Sequence, residues 1–274
     1  MKASIITRIV LYSVLILVLC GVLVSGIMGS GFGLGMGLDY DDKSYISADG
    51  EITVDGNTID RIEIEWISGD INISGQTKNF DITFSADEAE KDWQNMQYRI
   101  KNGVLSIKFC KSRMMFGNVP DKELNITLPV NKTFKEIDIE SVSSDIIDVD
   151  RWVVRADAVK VENVSGKTDL VLGADYIDCE SVSGDVNIEA ANYLKDGSFE
   201  TVSADIELGF YKVYGVEDFG FAAEFDSVSG NIKCEYDNTF FDDTLVHGTP
   251  TCELDFDTVS GNVKIFRQTN HRGY

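Results

Sequence analysis

The sequence predicts an all-β protein: a β-solenoid of the single-stranded β-helix type, behind one N-terminal transmembrane helix. Three observations lead to this fold class. A long apolar segment lies near the start of the chain, a short motif recurs seven times, and apolar residues keep fixed positions within each copy. The 274 residues are 43% hydrophobic and 26% charged, which is typical of a chain that buries a core.

The apolar segment Ile9–Ile27 has the length of a membrane-spanning helix. As a helix it spans about 28 Å, close to the hydrocarbon thickness of a bilayer. Lys2 and Arg8 precede it and acidic residues follow it, so the positive-inside rule directs the N-terminus to the cytoplasm. A signal peptide cleaved near Val24–Gly26 is the alternative. We favour an uncleaved anchor, with residues 1–8 in the cytoplasm, 9–28 in the membrane and 29–43 as a glycine-rich tether.

The recurring motif is typified by CESVSGDVNI at residues 179–188. Its second serine, here called the repeat serine, gives each repeat its name. The repeat serines are Ser68, Ser143, Ser165, Ser183, Ser203, Ser229 and Ser260. From the second onwards they are spaced 22, 18, 20, 26 and 31 residues apart, which is typical of stacked-turn architectures.

Apolar residues recur four before, one before, three after and five after the repeat serine. Alternate apolar positions indicate strands with one buried face. The phase changes between the first two columns, so we expect a bend at the Glu-Ser or Glu-Thr pair that keeps all four columns inside. Asp148 interrupts the last column and predicts a β-bulge. A sandwich of hairpins is the alternative, but the regular columns favour coils stacked about 4.8 Å apart.

Other segments complete the predicted organisation. Residues 44–130 form a β-rich entry region, residues 131–266 hold the solenoid repeats, and residues 267–274 are a basic tail. Asn102-Gly103 lies between two alternating runs and predicts a type I′ hairpin. Beyond the anchor, no cysteine spacing is typical of a metal site, and we expect free thiols rather than disulfides. These cysteines are Cys110, Cys179, Cys234 and Cys252.

The order of these parts resembles a bacterial family whose members carry the label "putative adhesin" or β-strand-repeat protein. The resemblance lies in the apolar anchor, the hairpin region that ends in ITLP at residues 126–129, and the VSGDV-type repeats. It covers about residues 46–266. It implies a membrane-anchored, β-helix-like domain at the cell envelope of a Gram-positive bacterium, without established catalytic residues.

The formal charge of −22 argues against nucleic acid and anionic lipid headgroups as partners, and it permits metal cations or basic polymers. Acidic residues form columns three before and two after the repeat serine. Stacked carboxylates about 5 Å apart repel by roughly 1 kcal/mol in water, so calcium ions along the columns would offset a repeated cost. Alternatively, the second column bonds turn amides and the first points to solvent. The predicted calcium ligands are Glu140, Glu162, Glu180, Glu200, Asp226, Asp257, Asp145, Asp185 and Asp205.

These observations predict a non-catalytic, membrane-anchored adhesin or envelope-binding module, whose partner is a cell-wall polymer or an envelope protein. An accessory module of an envelope-stress signalling system is the alternative, and a polysaccharide-active β-helix enzyme is the third. Carboxylates occur in periodic columns, and no nucleophile–base pair accompanies the departures from the repeat. These departures are Lys167, Arg151-Trp152 and the insertion Tyr236–Pro250 with His247. Its aromatic residues Tyr236, Phe240 and Phe241 either pack on the solenoid or form a binding patch.

Overall fold

The computed structural model describes residues 44–48, 50–87, 94–111, 120–216, 219–241 and 244–268. Within them the chain consists of β-strands and one 3-10 turn at Gly56–Thr58, so the all-β prediction is confirmed. No helix in this part of the chain is long and apolar enough to cross a membrane. The predicted cytoplasmic start, transmembrane helix and tether, residues 1–43, lie outside the described residues, as does most of the basic tail.

The strands form one continuous sheet. In chain order they are β1 (Ile46–Ser47), β2 (Ile52–Asp55), β3 (Arg61–Ser68), β4 (Ile71–Gln76), β5 (Asp81–Ala86), β6 (Gln97–Lys101), β7 (Val104–Lys108), β8 (Leu124–Pro129), β9 (Phe134–Ser143), β10 (Ile146–Asp148), β11 (Val154–Ser165), β12 (Thr168–Ser181), β13 (Val186–Ala191), β14 (Asp196–Thr201), β15 (Ile206–Tyr211), β16 (Phe221–Ser227), β17 (Ile232–Cys234), β18 (Thr239–Phe241), β19 (Thr244–His247), β20 (Cys252–Thr258) and β21 (Val263–Arg267).

The parallel strands form two ladders. The first ladder carries the residues before each repeat serine, in the order β7, β3, β9, β11, β12, β14, β20 and β16. The second carries the residues after it, in the order β8, β4, β10, β12, β13, β15, β21 and β17. β12 belongs to both, because its N-terminal part pairs with β13 and its C-terminal part with β14.

Equivalent residues of neighbouring repeats pair with one another, as the columns predicted. The columns four before, three after and five after the repeat serine point into one shared core, apart from partly buried members in the Ser229 repeat. Phe199 stacks on Phe256, for example, with ring centroids 5.2 Å apart. The second ladder contributes Ile206 and Val263, which pair directly and are both buried.

The column one before the repeat serine was predicted to lie inside, and that prediction is wrong for every repeat except the first, whose Ile67 is buried in the core. Val142, Val164, Val182, Val202 and Val259 form one row but are only half-buried, and Val228 is 61% exposed. Strict alternation continues through the motif, so the residue two before the serine points inward instead. Apart from the buried Trp66 of the Ser68 repeat, that inner column is polar: Ser141, Asn163, Ser181, Ser227, Thr201 and Thr258.

The inward hydroxyl explains where the chain bends. Ser181 Oγ donates to Gly184 O at 2.6 Å and accepts from Gly184 N at 3.0 Å. Thr258 Oγ1 accepts from Gly261 N at 2.7 Å in the same way. The side chain thus satisfies the backbone groups of the corner, which lies at the repeat serine and the residue after it. The bend is therefore not at the Glu-Ser pair, as the apolar pattern suggested.

Neighbouring repeats follow chain order only in the middle of the sheet. At one end β3 lies between β7 and β9, although β7 follows β3 in the chain. At the other end β20 lies between β14 and β16, although β16 precedes β20. Antiparallel strands continue the sheet beyond the outermost repeats: β6 and β1 beyond β7, and β19 and β18 beyond β16. They cover edges that would otherwise expose unpaired backbone groups.

Three local predictions have clear outcomes. Asn102 and Gly103 have φ angles of 54° and 80°, so the type I′ hairpin between β6 and β7 is confirmed. The four cysteines beyond the anchor are thiols that form no disulfide among the described residues, as predicted. The β-bulge at Asp148 is wrong, because Asp148 pairs in register with Ile73. Its carboxylate lies inside and accepts a hydrogen bond from Trp152 N at 3.3 Å.

Candidate functional site

Outward-facing carboxylates cover one face of the first ladder. The column three before the repeat serine is wholly acidic, and strand pairing brings its members side by side. Their order is Glu65, Glu140, Glu162, Glu180, Glu200, Asp257 and Asp226. Two residues earlier in each strand lies a second outward column, in the order Glu63, Asp138, Lys160, Asp178, Ser198, Asp255 and Glu224. These two columns together are the acidic face.

Only one basic residue lies within the acidic face. Lys160 pairs with the carboxylate of Glu162 on its own strand. At the edge of the face, Lys108 Nζ on β7 lies 3.2 Å from Glu65 Oε1. Burial alone lowers the pKa of Lys160, but Glu162 and Asp138 outweigh it and raise the pKa overall. The face therefore carries a strong excess of negative charge.

Glu162 lies at the centre of this face and is deeply buried. Its side chain is 3% exposed, and Oε2 has no hydrogen-bond partner within the described residues. In the same part of the chain, Glu65 Oε2 and Asp138 Oδ1 are also buried and without a partner. A buried, unsatisfied carboxylate oxygen costs free energy, which a bound proton or an added cationic donor reduces.

Burial and neighbouring charges raise the pKa of several carboxyl groups of the acidic face. Burial first, and then the Glu162 and Asp138 charges, raise the pKa of Glu140 to about 7. Burial and the neighbouring carboxylates also raise the pKa of Glu180 and of Glu200 to about 7. The pKa of Asp138 rises to about 6, chiefly through burial. These side chains are therefore only partly ionised near neutral pH, and a cation nearby favours their charged form.

The second predicted acidic column has a structural role. Asp145 Oδ1 accepts from Lys167 N at 2.7 Å, and Asp185 Oδ1 accepts from Asp205 N at 3.1 Å. Asp205 Oδ1 accepts from Asn262 N at 2.7 Å. Each of these carboxylates therefore ties one corner to the next through a backbone amide, which was the alternative to calcium binding for this column.

Among the described residues, no three His, Cys, Asp or Glu side chains are grouped so that they could hold a metal ion. The carboxylates of the acidic face line up along the sheet rather than around a point. Calcium binding by the nine predicted ligands stays a prediction.

The departures from the repeat lie away from the acidic face. Arg151 forms ion pairs with Asp169 and Glu189 on the second ladder, and Lys167 Nζ lies 2.8 Å from Asp169 Oδ2. The Arg151 contacts join adjacent repeats, whereas the Lys167 contact lies within one repeat.

The insertion Tyr236–Pro250 packs against the end of the sheet and leaves one ring exposed. Tyr236 is 7% exposed, and its ring centroid lies 5.5 Å from that of Phe221 and 4.7 Å from that of His247. Phe240, in contrast, is 60% exposed. The side chain of Phe241 lies outside the described part of the chain. The insertion is thus mainly a packing element, with Phe240 on its outer surface.

The acidic face extends beyond the sequence prediction. The prediction included the column from Glu140 to Asp257 but missed the column that contains Asp138, Lys160 and Asp178. A signal was available, because alternation of inward and outward residues extends two residues upstream of each motif.

No protein-family model matches the sequence, and no curated protein matches it. Solved structures to which the chain is similar include a "putative cell adhesion protein" of Clostridium sporogenes, at 14% identity and a TM-score of 0.49, covering 80% of this chain and 99% of that one. A "putative adhesin" of Bacteroides fragilis has 13% identity and a TM-score of 0.40, covering 82% and 98%. A "putative lipid binding protein" of Parabacteroides distasonis has 13% identity and a TM-score of 0.32, covering 83% and 98%.

Proposed function

We propose that the chain is a non-catalytic, extracytoplasmic binding module that presents its acidic face to a basic polymer of the cell envelope. The observation that carries the proposal is the unbroken acidic column from Glu65 to Asp226, beside which Lys160 is the one basic residue of the face. Such a surface attracts cationic groups over its whole length.

The proposed architecture is a β-solenoid. Its support is the parallel, in-register pairing of equivalent repeat residues, together with a hydroxyl-bonded corner between the two ladders. Such an architecture makes a long and rigid surface, since each repeat is held by the repeats on both sides.

The proposed location is the outer side of a membrane, with the apolar segment 9–28 as an uncleaved anchor. The support is the sequence alone: an uncharged, apolar segment of spanning length with Lys2 and Arg8 before it. A glycine-rich tether of residues 29–43 would then separate the binding domain from the bilayer.

A basic partner suits this surface for a physical reason. Neighbouring carboxylates about 5 Å apart repel by about 1 kcal/mol in water, and by 3–4 kcal/mol at an effective dielectric of 20. Ammonium groups over the face would reduce this repulsion and supply donors to the unpartnered oxygens of Glu162, Glu65 and Asp138. Calcium is the other cation that could do so, and the experiment below separates the two.

The test uses the full chain in detergent micelles, with poly-L-lysine as the probe and its N-acetylated form as the neutral control. We expect the lysine polymer to bind and the acetylated polymer not to bind. The triple variant Glu140→Gln, Glu180→Gln, Glu200→Gln should weaken binding at least tenfold.

A control triple variant changes the net charge by the same amount, but at residues outside the acidic face. Glu51→Gln, Glu235→Gln and Asp237→Asn alter exposed residues and should leave binding within about twofold. If both triple variants weakened binding equally, binding would reflect the net charge of the chain, and the acidic face would not be the binding site. Calcium binding that depends on the face, without polymer binding, would replace the basic polymer by the metal ion.

A further inference from the structure

An open cavity of about 450 Å³ lies at the corners of the Ser68, Ser143 and Ser165 repeats, and its lining includes no residue of the acidic face. Its lining is almost entirely oxygen-rich: five carboxylate residues, three serines and two glycines. The carboxylates are Asp70, Asp87, Asp121, Glu123 and Asp145, and the other residues are Ser143, Ser144, Ser165, Gly69 and Gly166. The volume is within the range of small-molecule sites.

The cavity lies where one repeat departs from the corner motif. In the Ser165 and Ser183 repeats the residue after the repeat serine is glycine, and the repeats pack tightly there. A Cβ on Gly184 would lie 1.7 Å from Gly166 O, and one on Gly166 would lie 2.1 Å from Ser144 O. The Ser143 repeat has Ser144 at this position, so a side chain occupies the corner that faces the Ser68 repeat.

Ser144 supplies an observation independent of the acidic residues. It lines the cavity, its side chain is 2% exposed, and its hydroxyl oxygen has no hydrogen-bond partner within the described residues. The equivalent position of other repeats needs no partner, because it is glycine or alanine. A buried hydroxyl without a partner at the wall of a cavity indicates a ligand or water that completes its bonding.

The hydrogen bonds around the cavity engage one oxygen of each of several carboxylates. Glu123 N donates to Asp87 Oδ2 at 3.1 Å, and Ser68 Oγ donates to Asp121 Oδ1. Asn72 Nδ2 donates to Glu123 Oε1, and Lys167 N donates to Asp145 Oδ1. The second oxygen of each carboxylate is left to accept from a ligand.

The nearest lysines in the described chain point elsewhere. Lys122 Nζ donates to Gln94 O at 2.6 Å and to Phe109 O, and Lys167 Nζ pairs with Asp169. Five carboxylates thus share one concave surface without an ion pair to a described lysine or arginine. A cationic ligand would therefore meet an excess of negative charge from several sides, even though Lys122 attracts Asp87.

We propose that this cavity binds a linear polyammonium ligand, which carries two or more ammonium groups along a flexible chain. A single metal ion fits less well, because no three potential ligands are grouped around one point within the described residues. Separate ammonium groups suit separate carboxylates, since each group offers three donors without demanding a fixed coordination sphere. The ligand is a free polyamine or the equivalent amine groups of a larger polymer.

The experiment is calorimetric titration of the full chain in detergent with spermidine at 0.15 M salt, where weak surface attraction is screened. We expect one spermidine per chain. The double variant Asp121→Asn, Glu123→Gln should weaken binding at least tenfold, and Ser144→Ala should weaken it about threefold. A lysine tetrapeptide that competes with spermidine would assign the cavity to polymer-borne amines, and the absence of competition would assign it to free polyamine.

Two controls keep the proposal falsifiable. The charge-matched variant Glu51→Gln, Glu235→Gln should bind spermidine as the wild type does, and so should the triple variant of the acidic face. Equal weakening by the charge-matched variant, or no spermidine binding at all, overturns the proposal. Calcium binding that is lost in the cavity variant while spermidine has no effect overturns it in favour of a metal site. Failure of polymer binding at the acidic face leaves this result unchanged.

Discussion

The two ends of the sheet share an arrangement of strands but differ in the chemistry that closes them. At each end the outermost parallel strand of the first ladder is out of chain order, and antiparallel strands continue the sheet beyond it. The end that includes β7 is closed around a buried lysine. The end that includes β16 is closed by a cluster of aromatic rings.

The lysine end is built around Lys122, which is 1% exposed. Its Nζ donates to the carbonyls of Gln94 and Phe109 and lies 3.9 Å from the ring centroid of Phe109. Trp66 Nε1 donates to Lys122 O at 2.9 Å and locks the same segment in place. The ammonium group of Lys122 therefore donates to two buried carbonyls, those of Gln94 and Phe109, outside the pairing of the repeats.

The aromatic end is packed around rings, with Arg267 over the ring of Tyr236 at 5.0 Å from its centroid. Phe221 is fully buried, and its ring centroid lies 5.5 Å from those of both Tyr236 and His247. Phe219 and Phe210 extend the cluster, with ring centroids 4.6 Å apart. Each end of the sheet is therefore closed by a local departure from the repeat. At one end a lysine bonds unpaired carbonyls, and at the other end aromatic rings are buried.

The largest effect is expected from Phe221→Ala at the aromatic end. Removing a buried ring that touches several others should lower the free energy of unfolding by about 3–5 kcal/mol. Hydrogen exchange should show lost protection in residues 219–247 before residues 97–108. Phe240→Ala, which changes an exposed ring of the same insertion, should cost less than about 0.5 kcal/mol. Simultaneous loss of protection at both ends would contradict independent closure.

At the lysine end, Lys122→Met should lower the free energy of unfolding by about 2 kcal/mol, because two buried carbonyls lose their donor. The exposed Lys101→Met is the control and should be near neutral.

The same lysine gives this end its own pH dependence. Burial lowers the pKa of Lys122 to about 8, below the value of about 10.4 in an unfolded chain. Between these values the unfolded state holds the proton and the folded state does not, so stability due to this group rises with pH. Wild type should therefore gain stability over Lys122→Met between pH 8 and 10, measured by urea denaturation. If the free energy of unfolding depended on pH in the same way in the two proteins, the ionisation of Lys122 would not contribute to the pH dependence.

The middle of the sheet should respond to pH in the opposite sense. The pKa of Glu140, of Glu180 and of Glu200 is raised to about 7, so the folded state keeps protons that the unfolded state loses above about pH 4.5. Stability due to these groups is therefore full at about pH 4.5 and falls as the pH rises to about 7.

Replacing these three side chains with glutamine should remove most of that fall. After allowance for solvent screening, we expect a gain of about 1 kcal/mol per residue at pH 8. The thermal midpoint of the triple variant should then be higher than that of the wild type at pH 8 and similar at pH 5. A variant that is less stable at pH 8 would show that burial and the neighbouring carboxylates do not make these charges costly.

The regular middle of the fold could be predicted from the sequence, and the ends could not. Columns such as Val161 with Cys179 follow from the motif, because identical backbone conformations bring equivalent side chains together. The insertion of β20 between β14 and β16 has no local signal, since both repeats contain the same motif and can pair with either neighbour. The buried position of Lys122 was also missed, because a lysine in a loop is usually solvated.

The acidic face was predicted only in part, because the sequence pattern misassigned which residues of the motif point inward. Hydrophobicity suggested that Val182 and its equivalents lie inside, although the inward residue is the serine, threonine or asparagine before each valine. At Ser181 the buried hydroxyl is tolerated because the corner supplies its partners, and that geometry is not visible in a hydrophobic pattern. The acidic column survived this error because it lies an even number of residues from the valine, on the same outward face.

The smallest effect is expected at a single corner next to the aromatic end. Thr258 Oγ1 accepts from Gly261 N at 2.7 Å and bonds to Thr201 Oγ1 at 3.1 Å, within the repeat that is inserted out of chain order. Thr258→Val keeps the shape of the side chain but leaves the Gly261 amide without its acceptor, so we expect a loss of about 1–2 kcal/mol. Thr53→Val on the exposed face of β2 is the matched control and should change stability by less than about 0.5 kcal/mol. Urea denaturation of the two variants measures the difference. Equal stability would mean that the hydroxyl contributes nothing to the corner, and that burial of aromatic rings alone holds the inserted repeat in place.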